Sequence, residues 1–149
     1  MNNNILIYIK QLHNLAGGSE RLACSLAKSL SKNGFKVVVL TTDKPELKPF
    51  YDLENIELIN IPILNFSRKT NFKDLLLIIP KIRQILKKVN PSIAIGFNIS
   101  SYALLSIASL NLHLPVIASD HIVFNHYLKN INQLIFLLIT YPFINSYTF

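Results

Sequence analysis

Ala16-Gly17-Gly18-Ser19-Glu20-Arg21 decides the fold, because of what stands on either side of it. Before it runs the apolar segment Ile5-Leu6-Ile7-Tyr8-Ile9. After it, Leu22, Cys24, Leu26, Ala27 and Leu30 recur at helical spacing until Asn33-Gly34. A buried strand, a Gly pair and a helix start together build an anion site. The glycines let a ligand approach the backbone, and the N–H groups and dipole of the helix start favour a phosphate. A plain structural use competes, since strand-to-helix turns also take Gly for φ > 0. The full Gly-x-Gly-x-x-Gly fingerprint is absent, so spacing leaves both readings open.

Outward from this turn the chain alternates. The first strand covers Asn4 to Ile9, Ser19 is the expected N-cap of the first helix, and Asn33-Gly34 is its expected C-cap. Val37 to Leu40 is continuously apolar, which predicts a central strand covered on both faces. Asp43 to Asp52, with Pro45 and Pro49, reads as a loop, and Ile56 to Ile61 as a third strand. A second helix spans Phe72 to Val89. Its stripe is Phe72, Leu75, Leu76, Ile79, Ile82, Leu86 and Val89, with a solvated face of Lys73, Lys81, Arg83, Lys87 and Lys88. Pro80 inside it is expected to kink or split the helix. Ser92 to Phe97 predicts a fourth strand, Asn98 to Asn111 a third helix, Pro115 to Ala118 a fifth strand, and Asn130 to Pro142 a last helix. This alternation specifies an α/β, Rossmann-like, doubly wound and mostly parallel sheet.

Ligands of such sheets sit beyond the carboxyl ends of the strands. Chain order alone sends Ala16 to Glu20, Thr41-Thr42-Asp43, the Arg68 loop, Phe97-Asn98 and Ser119-Asp120-His121 to that rim. His13, His113 and His126 carry no motif and read as ordinary loop or helix-end residues. No spacing of His and carboxylates suggests a metal site.

The 149 residues suffice for one domain, half of them hydrophobic, with a net charge of +7 from 15 basic and 8 acidic side chains. That charge favours anionic partners, but no stripe of basic and aromatic residues marks a nucleic-acid binder. The single cysteine, Cys24, reads as a packed thiol and fits a cytosolic compartment. No window approaches the ~20 apolar residues of a membrane span. From Val89 to Phe149 the only formal charges are Asp120 and Lys129. The expectation is that this half is covered by something outside the chain or faces a membrane or partner.

Several blocks resemble the N-terminal domain of family 4 glycosyltransferases. These are Ile5-Leu6-Ile7-Tyr8 with Gly17-Gly18-Ser19-Glu20-Arg21, Leu26-Ala27, Asn33-Gly34-Phe35-Lys36-Val37, Ile95-Gly96-Phe97-Asn98 and Leu114-Pro115-Val116-Ile117-Ala118-Ser119-Asp120-His121. Tyr141-Pro142-Phe143-Ile144 resembles the segment before that family's sixth strand, before which the chain is expected to stop. The resemblance spans essentially residues 1–149. It implies a GT-B enzyme, with the N-terminal domain holding the acceptor. The C-terminal domain would hold most of a nucleotide-sugar donor and a Glu-x7-Glu motif. Transfer would retain anomeric configuration without a metal or other cofactor. The chain is expected to be incomplete at its C-terminal end, without that donor domain, as a truncated product or one half of a split enzyme.

Residue by residue, the resemblance puts Gly17 and Gly18 opposite the donor diphosphate; Glu20, a first-turn carboxylate that satisfies the dipole and repels phosphate, reads as capping or positioning. It places His121 near the reacting sugar, where a hydrogen bond to a hydroxyl or charge stabilisation serves catalysis. Asp120 stands where Glu is more frequent. Asn98 and Arg68 fall on the substrate side, Arg68-Lys69 in the position of an acceptor loop that would suit a lipid-linked pyrophosphate. The expected partners are a nucleotide-sugar, a glycan or lipid-linked acceptor and a donor-binding domain. The setting is polysaccharide biosynthesis in the cytoplasm, peripheral to the inner membrane face, and the isolated chain is expected to be inactive. A non-catalytic remnant or binding module of the same fold is the alternative. An unrelated dinucleotide binder fits less well, because strand two ends Thr41-Thr42-Asp43 and the turn is Gly-Gly.

Overall fold

The structure, a computed structural model, describes residues 3–13, 17–61, 72–119 and 146–148. Its elements follow in the order β1 (Asn4–Tyr8), α1 (Gly18–Lys32), β2 (Lys36–Thr41), β3 (Glu57–Asn60), α2 (Phe72–Val89), β4 (Ile93–Phe97), α3 (Asn98–Ala108), β5 (Val116–Ser119) and β6 (Ser146–Thr148). The strands make one sheet in the order β3-β2-β1-β4-β5-β6, and every neighbouring pair is parallel. The expected doubly wound sheet is present, and it is parallel throughout. β6 corrects the expectation that the chain stops before a sixth strand: Ser146, Tyr147 and Thr148 pair with Ile117, Ala118 and Ser119. The last helix expected at Asn130 to Pro142 lies outside the described residues.

Alternation of side chains along buried strands divides the core in two. Ile5, Ile7, Val37, Val39, Ile95 and Phe97 face α1, which contributes Ala23, Cys24 and Ala27. Leu6, Tyr8, Leu40, Ala94 and Val116 face the other way, toward Ile78, Ile82 and Leu86 of α2 and Leu104, Leu105 and Ala108 of α3. Two assignments from periodicity change. Leu22 is exposed and Ala23 takes its place inside, while on α2 Ile78, outside the expected stripe, is buried. Small side chains at Ala23 and Ala27 let α1 lie close on the strands. α2 is continuous through Pro80, so the proline does not split it. Burial pushes the Cys24 thiol up to about 11, a packed and unreactive cysteine as expected.

The uncharged stretch finds much of its explanation inside the fold. β4 and β5 are central strands, and eight residues of α3 are buried between the sheet and α2. Charged side chains have no place on such a helix. Gly96 fits the same crowding. A Cβ there would collide with the backbone of Tyr102, so glycine lets α3 double back tightly onto β4.

The helix ends at the amino side of the sheet are closed by protein groups. α1 ends in a Schellman motif, with Phe35 N–H on the Leu30 carbonyl at 3.1 Å, Gly34 N–H on Ser31 at 3.0 Å, and Gly34 at φ +86°. Asn4 Nδ2 donates to the last α2 carbonyl, Val89, at 2.8 Å. Arg83 is not simply solvated. Its Nη1 donates to Ala108 at 2.8 Å and to Leu110 at 2.7 Å, placing a cation on the negative end of α3.

Candidate functional site

The sheet changes winding direction between β1 and β4, since β1 leads to β2 on one side and β4 to β5 on the other. α1 leaves β1 onto one face and α3 leaves β4 onto the opposite face. Their N-termini therefore flank the carboxyl edge of two adjacent strands, the crevice where open α/β sheets bind ligands. One hydrogen bond spans the crevice: Ser19 Oγ donates to Asn98 Oδ1 at 3.3 Å.

Both helix starts lack a side-chain cap. The N-cap residues are Gly17 and Phe97, and neither lends a side-chain hydrogen bond. This corrects the expectation for Ser19. It lies inside the first turn, and its hydroxyl is directed to Asn98. The first α1 ladder bond is Arg21 N–H to the Gly17 carbonyl at 3.1 Å, which leaves the N–H groups of residues 18–20 outside the ladder. Two helix starts side by side present partial positive charge to the crevice.

The Gly pair is not there for backbone conformation. Gly17 sits at φ −77°, and Gly34 is the described glycine with positive φ. The Glu20 carboxylate folds back over Gly17 and puts a negative charge on the first turn of α1. Gly18 is exposed, and a Cβ on it would meet nothing within 4 Å. Neither sterics nor φ requires glycine there. Asn98 does adopt the left-handed region, at φ 65°, at the junction of β4 and α3. Glu54, Asn90, Asn111 and His113 take the same region, so at Asn98 it marks a tight turn of a kind Asn tolerates. One turn further along the same helix face, Ser101 is fully buried and its hydroxyl has no hydrogen-bond partner among the described residues.

Of the expected site residues, the structure thus brings the Gly17-Gly18 turn and Asn98 together. Arg68 and His121 lie outside the described residues. Asp43 was placed on this rim by chain order, but its partner His13 was passed over. Asp43 is buried and its carboxylate accepts from Leu12 N–H at 2.6 Å, His13 N–H at 3.1 Å and His13 Nδ1 at 2.6 Å. The two residues are 30 apart in sequence, so spacing carries no trace of the pair. The only available signal was that both follow strands that end on the same rim. Glu46 and Glu54 happen to stand at Glu-x7-Glu spacing. Both are exposed in the β2–β3 loop, and Glu54 pairs with Lys28 at 3.2 Å. Among the described residues no group of His, Cys, Asp and Glu is arranged to hold a metal ion.

A parallel, doubly wound sheet with two helix starts at its switch point is a Rossmann-like α/β fold. The chain belongs to glycosyltransferase family 4, whose family model matches residues 16–147. An uncharacterized glycosyltransferase of Haemophilus influenzae is 29% identical over 117 residues, which cover 77% of this chain and 30% of that protein. Among solved structures, Anabaena HepE in complex with UDP and glucose superposes with a TM-score of 0.73 at 14% identity, over 97% of this chain and 37% of its own. MurG of Acinetobacter baumannii superposes at 0.66 and 18% identity, over 97% of this chain and 40% of its own. The chain spans 30–40% of the length of these relatives, aligned with the N-terminal domain of the GT-B fold. Among the described residues no helix is long and apolar enough to cross a membrane.

Proposed function

We propose that this chain is the acceptor-side half of a retaining, nucleotide-sugar-dependent hexosyltransferase that extends a glycan or a lipid-linked acceptor. The observation that carries this reading is the Ser19–Asn98 bridge between two uncapped helix starts at the switch point. In this reading the exposed backbone at Gly18 and the first turn of α3 form one wall of a cleft, with the Glu20 carboxylate lying over Gly17. The wall faces the diphosphate of a donor held by a second, donor-binding half. Asn98 hydrogen-bonds a substrate hydroxyl. His121 contacts the reacting sugar, and Arg68 pairs with an acceptor phosphate. The excess of basic charge supports approach to anionic substrates and to the inner face of a membrane.

One wall alone does not enclose a donor, so the chain by itself is expected to transfer no sugar. The test is transfer of radiolabelled sugar from a nucleotide-sugar panel to extracted glycolipid and glycan acceptors. It is run with the chain alone and with the donor-binding half of a family 4 relative added. Product only with both halves supports the proposal. Product from the chain alone would refute the division of labour, and no product in either case favours a binding module that keeps the fold.

A further inference from the structure

We infer that the first turn of α3, with the buried Ser101 hydroxyl behind it, is the element of the crevice that seats a phosphate group, in preference to the Gly17-Gly18 turn of α1. The assignment rests on the cleft reading above and narrows it to one helix start. α3 and its C-cap hold three buried serines, and two of them bond back to the helix. Ser106 Oγ donates to the Tyr102 carbonyl at 2.8 Å, and Ser109 Oγ to the Ser106 carbonyl at 3.0 Å. That is an ordinary use of a serine hydroxyl in a helix. Ser101 departs from it: the residue is 0% exposed, and its Oγ has no hydrogen-bond partner among the described residues. It stands at the head of the stripe that continues through Leu104, Leu105 and Ala108 into the core. An unsatisfied hydroxyl in such a place costs stability, and an alanine would remove that cost.

The direction of that hydroxyl points to a ligand. Cα–Cβ bonds of a helix tilt toward its N-terminus, so the Ser101 hydroxyl is carried back toward Asn98, three residues earlier on the same face. There α3 begins without a side-chain cap and without an acidic residue in its first turn. The N–H groups of a first turn have no partner in the helix ladder. Asn98 Oδ1 accepts from Ser19 Oγ at 3.3 Å, which leaves the Nδ2 end of that amide to donate. Donors gathered with no negative charge among them select an anion, and the dipole of α3 adds to the attraction. α1 differs in the respect that matters, since the Glu20 carboxylate lies over Gly17 and repels a phosphate. Gly96 lets α3 close onto β4, which sets this start at the switch point. The ligand class is a phosphate monoester or diphosphate, a group that a nucleotide-sugar and a lipid-linked acceptor both carry.

The test titrates the purified 15N-labelled chain with inorganic phosphate, UDP and butyl phosphate at constant ionic strength, at about pH 7.5 where a phosphate ester is largely dianionic. The expected result is a saturable set of amide shifts centred on Ile99, Ser100 and Ser101, larger for inorganic phosphate than those at Gly18 and Ser19. Tighter binding of UDP than of phosphate assigns the site to the donor, and tighter binding of butyl phosphate assigns it to the acceptor. Equal binding of all three makes phosphate alone the recognised group, and each of these results supports the site. Ser101→Ala should raise the urea midpoint, because it removes an unsatisfied buried hydroxyl, and weaken phosphate about five- to tenfold. Ser100→Asp gives α3 the first-turn carboxylate that α1 has, and should leave the fold intact and abolish the shifts. Shifts centred on Gly18 and Ser19, no saturable shift at α3, a lowered midpoint in Ser101→Ala, or unchanged affinity in either variant would overturn the assignment. Product from the two-half transfer assay without phosphate shifts at α3 removes this assignment alone. Phosphate shifts at α3 with no product from the two halves remove the acceptor-side reading alone.

Discussion

The two rims of the sheet end their helices in opposite ways. At the amino rim each helix end is closed by the protein: α1 by its Schellman turn, α2 by Asn4, α3 by Arg83. At the carboxyl rim α1 and α3 begin at residues that offer no side-chain cap. Backbone polar groups in a stable fold find partners in protein, water or ligand. Among the described residues, side-chain and turn closure of helix ends is thus seen at the amino rim, and the first-turn N–H groups of α1 lie outside its ladder at the carboxyl rim. Of the buried polar side chains, Thr41, Thr42, Asp43, Ser101 and Ser119 lie at or near the carboxyl ends of strands, and Ser106 and Ser109 toward the end of α3.

The contrast breaks most readily where the open rim depends on packing. Gly96→Ala should cost about 3 kcal/mol, because the new methyl meets the backbone of Tyr102 and not a movable side-chain tip. Urea unfolding should show a large fall in midpoint, and an unchanged midpoint would mean that α3 starts elsewhere. Next comes the closed rim. Arg83→Met keeps the apolar stem but removes two charge-assisted bonds to the end of α3, for an expected loss of about 2 kcal/mol. A loss near zero would show the guanidinium to be solvated, as periodicity alone suggests. The smallest effect on stability belongs to the open rim. Gly18→Ala should raise stability by up to about 0.5 kcal/mol, since the Cβ meets nothing and Ala favours helix. A clear loss of stability would instead give Gly18 a conformational role.

The layout of strands and helices was legible because buried parallel strands are apolar runs and their connections carry Gly, Pro and Asn. Asn33-Gly34 ended α1 as its sequence predicts, and Phe72 to Val89 is α2 residue for residue. β6 escaped notice because Ser146-Tyr147-Thr148 has no apolar run, and its strand character comes from pairing with β5. The site was half legible. The Gly pair and Asn98 could be sent to one rim by topology. The functions of Ser19, Arg83, Gly96 and the His13–Asp43 pair depend on partners between 6 and 79 residues away, and no local pattern encodes them. The charge-poor half is accounted for only as far as residue 119, since residues 120–145 lie outside the described residues. It suggested an outside cover, but for β4, α3 and β5 the cover is this chain itself.

The open rim can be tested directly by mapping backbone amide shifts of the 15N-labelled chain as UDP-glucose is added. The account predicts that Gly18, Ser19, Ile99 and Ser100 respond first and most, with Gly34, Asn90 and Leu110 unchanged. Shifts concentrated at the amino rim would contradict it.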